Sequence, residues 1–370
     1  MPVSLGVEPV SGASATQGES MRAAVYRGSS RVVVEPTPVP QIGPGELLIR
    51  VEACGICHTD LKKIEHDLLP PPRIYGHETA GVVAAVGDGV SKYKLGERVC
   101  VFHHIPCGDC FYCSRRDYAQ CAGYKKVGVT AGYEPAGGGF AEYVRVMDWI
   151  VERGVERIPD GVSFERATFV EPLNTCLKGL EKAAIRPDDT VVVLGQGPIG
   201  LLFTMLLARQ GTERLYATDR LPLRLEKAQR LGAREAWDSA AVDVRAEMLA
   251  RTEGRGADVV IVAASAPGIV EEAVRITRPG AKIMLFAQTS PQETFELNGA
   301  QVGKDERMVF GSYSASVDLQ HESAEIVWSE SFPVEELISH RLPLDELERG
   351  MDLARRPQEG SLKVLVHPQR

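Results

Sequence analysis

The chain has 370 residues, of which 44% are hydrophobic and 25% charged, and its formal net charge is −8. This length exceeds what one hydrophobic core usually supports, so two domains are expected. The composition is that of an ordinary soluble globular protein, and the acidic balance without a basic block excludes nucleic acid and an anionic membrane surface as partners. No apolar run approaches the roughly 20 residues that a transmembrane helix needs.

The first twenty residues are small and polar, and they lack the basic and apolar regions of a secretory signal. We interpret residues 1–20 as a flexible extension that precedes the folded chain from Met21. Without an export signal the expected compartment is the cytoplasm, where thiols stay reduced. A cysteine cluster is there more typical of a metal site than of disulfides.

A β-rich region comes next. Residues 22–53 alternate short apolar runs with proline and glycine, which predicts short antiparallel strands. The segments 78–87, 96–102 and 141–146 predict further strands. We therefore expect the first 150 residues or so to form a β-rich domain with irregular loops.

Strands and helices alternate after Glu165. The strands VVVL at 191–194 and VVIV at 259–262 are wholly apolar, and helical segments of 10–15 residues separate the strands of this region. This pattern predicts βαβ units around a parallel sheet that is buried on both faces. The final fifty residues mix helix and strand.

A glycine-rich turn joins the strand VVVL to a long apolar helix. Its G-x-G-x-x-G spacing suits a tight turn that approaches a pyrophosphate and lays it on the helix N-terminus. The alternative is a glycine-rich turn that binds nothing, but the strand and helix around it favour a dinucleotide site. The turn consists of Gly195, Gly197, Pro198, Ile199 and Gly200.

An acidic residue ends the next predicted strand. Asp219 follows Gly200 by nineteen residues, where a carboxylate accepts hydrogen bonds from the adenosine ribose and repels a 2′-phosphate. NAD is therefore favoured over NADP, and the neighbouring Arg220 slightly weakens that preference.

A cysteine lobe occupies residues 106–121. Four thiolates complete the tetrahedral set for Zn²⁺ and leave no position for water or substrate, so the predicted role is structural. An iron–sulfur cluster and a redox disulfide are the alternatives. The cysteines are Cys107, Cys110, Cys113 and Cys121.

Two further motifs precede the lobe, CGICHTD at 54–60 and GHETAG at 76–81. Taken alone, Cys57 and His77 are more often a buried thiol and a satisfied histidine. Together with a distant carboxylate they could instead form a three-ligand metal site with an open position, which is the catalytic arrangement.

These motifs, with VEPL at 170–173 and LGQGPIG at 194–200, occur in an order and spacing that resembles the zinc-dependent medium-chain dehydrogenases. That family includes alcohol, polyol and threonine dehydrogenases. The resemblance runs from Met21 essentially to the C-terminus. It implies an α/β fold with a GroES-like β-rich catalytic domain, a Rossmann domain with a doubly wound parallel sheet, and an active site between them.

The resemblance also implies domain limits and partners. The catalytic domain would cover residues 21–171, the Rossmann domain 172–314, and residues 315–370 would return to the catalytic domain. One catalytic and one structural Zn²⁺ per chain, NAD, and a homodimer or homotetramer are implied.

The resemblance further implies roles for single residues. Cys57 and His77 match the first two ligands of the catalytic zinc, and Glu78 matches a carboxylate beside the metal. The third ligand position falls on Glu171, as in sorbitol and other polyol dehydrogenases, where the carboxylate binds zinc directly or through water.

Proton transfer is implied for the segment that follows Cys57. Thr59 matches the hydroxyl that receives the substrate proton, and Asp60 resembles a carboxylate that orients a ligand histidine. Lys62 stands where family members commonly have a relay histidine, and with a usual pKa of about 10.4 it is a poor proton carrier near neutrality. Lys62, His58, His66 or water could take that role.

The implied function is reversible hydride transfer between NAD and a secondary alcohol or polyol. Substrate signals are mixed, because CHTD resembles simple alcohol dehydrogenases and VEPL resembles polyol enzymes. A simple alcohol, aldehyde or threonine-type dehydrogenase is one alternative. A non-catalytic protein that binds NAD and zinc is an alternative from another class.

Overall fold

The computed structural model describes residues 19–103, 105–123, 138–287, 294–356 and 360–370. Residues 1–18 of the predicted extension lie outside this part of the chain, and the first strand already begins at Ser20. Within the described ranges, no helix combines the length and the apolar character needed to cross a membrane.

Short strands dominate the N-terminal part, where proline and glycine interrupt the apolar runs. The segments predicted as strands at 78–87, 96–102 and 141–146 contain strands with slightly shorter bounds. In chain order the elements are β1 (Ser20–Tyr26), β2 (Val32–Pro38), β3 (Leu47–Gly55), α1 (His58–Glu65), β4 (Arg73–Ile74), β5 (Glu78–Val86), β6 (Arg98–Val101), β7 (Tyr143–Val146), α2 (Asp148–Arg153) and β8 (Val155–Arg157).

Strands and helices then alternate, as the sequence predicts. Two helices lead into this part, and the strands that follow pair in parallel throughout. The elements are α3 (Phe164–Ala167), α4 (Val170–Ala183), β9 (Val191–Leu194), α5 (Pro198–Arg209), β10 (Leu215–Asp219), α6 (Pro222–Arg230), β11 (Glu235–Asp238), α7 (Val244–Arg251), β12 (Ala257–Val262), α8 (Ile269–Arg275), β13 (Thr277–Leu285), α9 (Gly299–Gly303) and β14 (Met308–Gly311).

The parallel sheet has the strand order β11-β10-β9-β12-β13-β14. Val191 and Val193 face one apolar core and Val192 and Leu194 face another, so strand β9 is buried on both sides. The order reverses between β9 and β12, and ligands of doubly wound sheets bind at the carboxyl ends of the strands at such a point.

The last part of the chain returns to the N-terminal part. Its elements are α10 (Gln320–Trp328), β15 (Ile338–Pro343), α11 (Leu347–Arg355) and β16 (Lys363–His367). The larger sheet has the order β15-β16-β3-β5-β6-β8, with β7 also paired to β3, and it is antiparallel except for the parallel pair of β15 and β16. The smaller sheet has the order β2-β1-β4. Strand β16 therefore lies inside the larger sheet, between β15 and β3.

Hydrogen bonds join the two parts along a cleft. Asn174 on α4 exchanges two hydrogen bonds with the main chain of Ser316, at 2.9 and 2.8 Å. Arg224 on α6 donates to the carbonyl of Ser361 at 3.0 Å. We call this boundary between the two parts the cleft. Arg224 also lies close to Gly197 of the glycine-rich turn, and Glu171 on α4 lines a small cavity together with Glu78, so both motifs border it.

Candidate active site

The four cysteines of the lobe converge on one point. Their sulfurs all lie within 4.8 Å of one another, and three of the Sγ–Sγ distances are 3.5, 3.5 and 3.9 Å. Tetrahedral coordination with a Zn–S bond of about 2.3 Å places sulfurs roughly 3.8 Å apart. None of the four cysteines forms a disulfide, and the group is too compact for the several irons of a cluster. The lobe therefore fits one four-coordinate metal ion.

A second group of side chains with the donor atoms for a metal ion lies at the cleft. Cys57 precedes α1, while His77 and Glu78 stand where the chain enters β5, and their ligand atoms all lie within 4.8 Å of one another. Gly76 makes this entry possible, because its φ is 98° and a Cβ there would lie 2.8 Å from the main-chain nitrogen of Phe140. The structure thus brings together three side chains that the sequence separates by a loop.

Asp60 orients the histidine of this group. The Nδ1–H of His77 donates to Oδ1 of Asp60 at 2.9 Å, and Asp60 is fully buried. The other ring nitrogen, Nε2, is thereby left for a metal. Burial alone would lower the pKa of His77, but Asp60 and Cys57 outweigh it and raise that pKa well above its usual value. The electrostatic potential around His77 is therefore negative, which favours the binding of a cation.

Glu171 and Lys363 approach the group from other elements. Glu171, near the start of α4, is buried and lines a small cavity together with Glu78, but it does not join the three ligand atoms within 4.8 Å. Lys363, the first residue of β16, forms an ion pair with Glu78. Burial raises the pKa of Glu78, and the charge of Lys363 opposes that shift.

The first turn of α1 carries the residues predicted for proton transfer. The main-chain N–H of Thr59 donates to Sγ of Cys57 at 3.5 Å, so its side chain starts beside the metal group. His58 reaches solvent, yet crowding by protein atoms and the charges of Lys363, Lys62 and Arg224 lower its pKa to about 4. Its imidazole is therefore neutral at physiological pH, and it lies within reach of cations on both sides of the cleft.

The glycine-rich turn has the close packing that its spacing predicts. Gly195 has a φ of 91°, and a Cβ on Gly200 would lie 1.8 Å from the carbonyl oxygen of Gly195. Gly197 is the N-cap of α5, and Pro198 begins the helix, followed by the partly buried Ile199. The free N–H groups of a helix N-terminus thus stand at the carboxyl end of β9.

Asp219 ends β10 beside this turn. Its Oδ2 accepts the N–H of Gln196 at 2.7 Å, and its Oδ1 accepts the N–H of Arg220 at 2.7 Å. The side chain of Arg220 is exposed. Arg224 lies on the other side, 3.7 Å from Oδ2 of Asp219 and close to Gly197. A carboxylate and a guanidinium therefore border the turn together.

Comparison with known proteins identifies the family. The model of the alcohol dehydrogenase GroES-like domain matches residues 43–159, and the zinc-binding dehydrogenase model matches residues 198–330. A sorbitol dehydrogenase of Bombyx mori is 30% identical, and the alignment covers 94% of this chain and 98% of that protein. The chain belongs to the zinc-type medium-chain dehydrogenase family. The predicted family and the predicted α/β fold, with its GroES-like and Rossmann domains, are confirmed.

Solved structures of other medium-chain dehydrogenases share the whole fold. An alcohol dehydrogenase (rspB) of Escherichia coli CFT073 in complex with NADH has a TM-score of 0.83 and 28% identity, covering 95% of this chain and 100% of that one. A zinc-binding dehydrogenase of Sinorhizobium meliloti 1021 bound to NADP has a TM-score of 0.84 and 30% identity, with the same coverage. Membership makes the protein an oxidoreductase of the alcohol and polyol dehydrogenase type.

Four residues of this dehydrogenase site carried no signal in the sequence. Lys363 and Arg224 have no motif and reach the cleft from β16 and α6. The ring of His103, which is buried, lies edge-on to His77 with ring centres 5.4 Å apart. Tyr313 follows β14, and the charges of His77, Glu171 and Cys57 act on it. A motif of acidic residues or cysteines can identify a ligand in the sequence. Residues that only surround the ligands, such as these four, can be identified only from the folded structure.

Proposed function

We propose that the protein is a zinc-dependent, NAD-preferring dehydrogenase that reversibly oxidises a secondary alcohol or polyol to a ketone. The observation that carries the proposal is the group of Cys57, His77 and Glu78, whose ligand atoms all lie within 4.8 Å of one another. His58 connects this group with the glycine-rich turn. The charge of Lys363, which pairs with Glu78, and the charge of Arg224, which lies close to Gly197, both lower its pKa.

The donor set fits zinc at both positions. A thiolate and an imidazole with a nearby carboxylate are typical of an open catalytic site, and four thiolates are typical of a closed structural one. We propose Cys57 and His77 as ligands of the catalytic ion, with Glu171 or Glu78 as the third. The ion pair of Lys363 with Glu78 favours Glu171 in that role, because it engages the Glu78 carboxylate.

When bound, Zn²⁺ supplies Lewis acidity toward the substrate hydroxyl and NAD supplies a hydride acceptor. The residues of the chain orient the ligands and transfer the proton. Asp60 holds His77 in the tautomer that presents Nε2 to the ion. The hydroxyl of Thr59 takes the substrate proton, and His58, which is neutral, can pass it toward solvent. Lys62 is the alternative end of that relay.

The preference for NAD rests on Asp219. Relatives of this fold are solved with NADH and with NADP, so the choice depends on the residues of this chain. A carboxylate bordering the turn repels a 2′-phosphate and accepts hydrogen bonds from ribose hydroxyls. Arg224 lies beside Asp219 and can bind the same ribose, whereas the exposed Arg220 would favour a phosphate there.

The assembly proposed is a homodimer or homotetramer in the cytoplasm. Strand β14 is the last strand of the parallel sheet, and its first residue, Met308, is 55% exposed. An unpaired edge with an apolar side chain is suited to burial by a second copy. Light scattering after size-exclusion chromatography measures the mass, and a monomer would contradict this part of the proposal.

Coupled turnover tests the function. Short secondary alcohols, polyols, inositols and threonine are offered with NAD or NADP, NADH formation is followed by absorbance, and zinc is measured per chain. We expect two zinc ions per chain, turnover of alcohols or polyols, and a preference for NAD. Cys57→Ser should abolish turnover while NADH binding, followed by fluorescence, stays nearly intact. Wild-type kcat in Cys57→Ser, or a preference for NADP, would overturn the respective assignment.

A further inference from the structure

We infer that Gln320 is a positioning residue of the catalytic site, which holds the carboxylate of Glu171 in place through one buried water molecule. This inference rests on the proposed function and deepens it, because Glu171 is proposed there as a third zinc ligand. Gln320 is the first residue of α10 and belongs neither to the ligand motifs nor to the glycine-rich turn.

The side-chain amide of Gln320 is buried without a protein partner. The residue is 3% exposed, and within the described residues neither Nε2 nor Oε1 of its amide takes part in a hydrogen bond. The two other buried side-chain amides of the described residues, those of Gln196 and Asn174, are bonded at both ends, at distances between 2.8 and 3.1 Å. A buried polar atom without a hydrogen bond keeps the full cost of its lost hydration. The amide of Gln320 therefore requires a partner that is not a protein group.

Gln320 lines the small cavity that the carboxylates of Glu78 and Glu171 also line, and the volume of this cavity is about 10 Å³. That is about the least space that holds one water molecule, which also needs roughly two to four polar partners. A water here can accept a hydrogen bond from the NH₂ of Gln320 and donate one to a carboxylate. Lys363 already engages Glu78, so the carboxylate that this water serves is that of Glu171.

Hydrogen bonds close to both residues fix their relative position. Asn174 follows Glu171 on α4 by three residues, which is about one helical turn. It exchanges two hydrogen bonds with the main chain of Ser316, at 2.9 and 2.8 Å. Ser316 in turn precedes Gln320 by four residues. Glu171 does not join the three ligand atoms within 4.8 Å, so its orientation determines whether it reaches the ion. A water held by Gln320 fixes one carboxylate oxygen and leaves the other for the metal.

Gln320→Met tests this role, because methionine keeps the approximate length of the side chain and removes both polar atoms of the amide. Outer hydrogen bonds to metal ligands typically contribute about 10- to 100-fold to metal affinity or activity. The contact of Gln320 runs through water, so we expect the lower value, a loss of about tenfold in affinity for the catalytic zinc. Zinc per chain after dialysis against graded chelator measures this loss, and the zinc of the cysteine lobe should remain bound. The thermal midpoint of protein that retains only the lobe zinc should not fall, since methionine introduces no buried polar atom.

Glu171→Gln supplies the decisive comparison, because it removes the charge that the water would hold. Its own zinc affinity should fall, and in that background Gln320→Met should weaken zinc binding by less than about threefold further. Gln320→Leu should repeat the loss seen with methionine, and NADH binding by fluorescence shows that each variant folds. Gln210→Met, at an exposed glutamine, is the matched control and should change nothing.

Unchanged zinc affinity in Gln320→Met, or a tenfold loss that persists in the Glu171→Gln background, would overturn the role of Gln320. Wild-type zinc affinity in Glu171→Gln would overturn it as well but leave the dehydrogenase standing. A wild type that binds no zinc beyond that of the lobe and oxidises no alcohol would overturn the proposed function itself, and this role with it.

Discussion

The carboxylate of Asp60 should set the affinity of the catalytic zinc, although it is not one of the ligands. Asp60 is fully buried, and its Oδ1 lies 2.9 Å from Nδ1 of His77. Asp60→Asn keeps the size of the side chain but removes its charge. The amide can also turn its NH₂ toward His77, which would favour the tautomer with the proton on Nε2, the nitrogen that the metal needs.

The size of the effect follows from that single contact. A hydrogen bond to a charged group contributes about 1.5–3 kcal/mol, which corresponds to a factor of roughly 10 to 150. Loss of such an outer contact to a metal-binding histidine typically costs about 10- to 100-fold in affinity or activity. We therefore expect Asp60→Asn to bind the catalytic zinc 10- to 100-fold more weakly and to lose kcat at limiting zinc.

Zinc per chain after dialysis against graded chelator measures this affinity. The cysteine lobe is an internal reference, because Asp60 does not touch it and its zinc should remain. The zinc content should fall from two ions per chain to one in both proteins, and in the wild type this should require a higher chelator concentration than in the variant. Asp160→Asn, an exposed aspartate, is the control. Catalytic zinc affinity and kcat within about threefold of the wild type would refute the reasoning, provided that NADH still binds.

Three further predictions concern other parts of the fold. Cys110→Ser should lower zinc to one ion per chain and lower the thermal midpoint, and unchanged zinc content would exclude the lobe as a metal site. Gly200→Ala places a Cβ 1.8 Å from the carbonyl of Gly195, so NADH affinity by fluorescence titration should fall at least about tenfold, whereas an unchanged Kd would contradict the tight turn. Burial alone would raise the pKa of Glu46, but two contacts of 2.7 Å from Arg145 bring it below its usual 4.5. This stabilisation is present above pH 4.5 and is lost as the pH falls through the folded pKa. Glu46→Gln should therefore lower the free energy of unfolding by about 2 kcal/mol at pH 7 and by progressively less toward pH 3. A cost that does not change with pH would refute this reasoning.

The fold was largely predictable because its signals are local. Apolar strands such as Val191–Leu194, followed by a glycine turn and an apolar helix, describe a βαβ unit without reference to distant residues. The cysteine lobe is equally local, since all its ligands lie between residues 107 and 121. Spacing along the chain is sufficient in such cases because the chain between the residues is too short to separate them.

The candidate site was less predictable because its parts come from distant segments. The resemblance placed a third ligand at Glu171, whereas the group within 4.8 Å contains Glu78. Lys363 bears on that choice by pairing with Glu78, yet a lone lysine in a C-terminal strand has no pattern to mark it. Arg224 and Tyr313 have no sequence pattern either. The position of Arg224 relative to Asp219, and that of Tyr313 relative to Glu171, depend on how the helices pack.

The place of β16 has a consequence for the order in which the protein assembles. This strand lies between β15 and β3, so the larger sheet of the first domain lacks an inner strand until residues 363–367 have been synthesised. The strands of the parallel sheet, from Val191 to Gly311, are complete well before that. Folding on the ribosome should therefore run against the order of the sequence, with the second domain completed first. Because Lys363 arrives with β16, the chain holds its full set of charges around Glu78 only when synthesis ends.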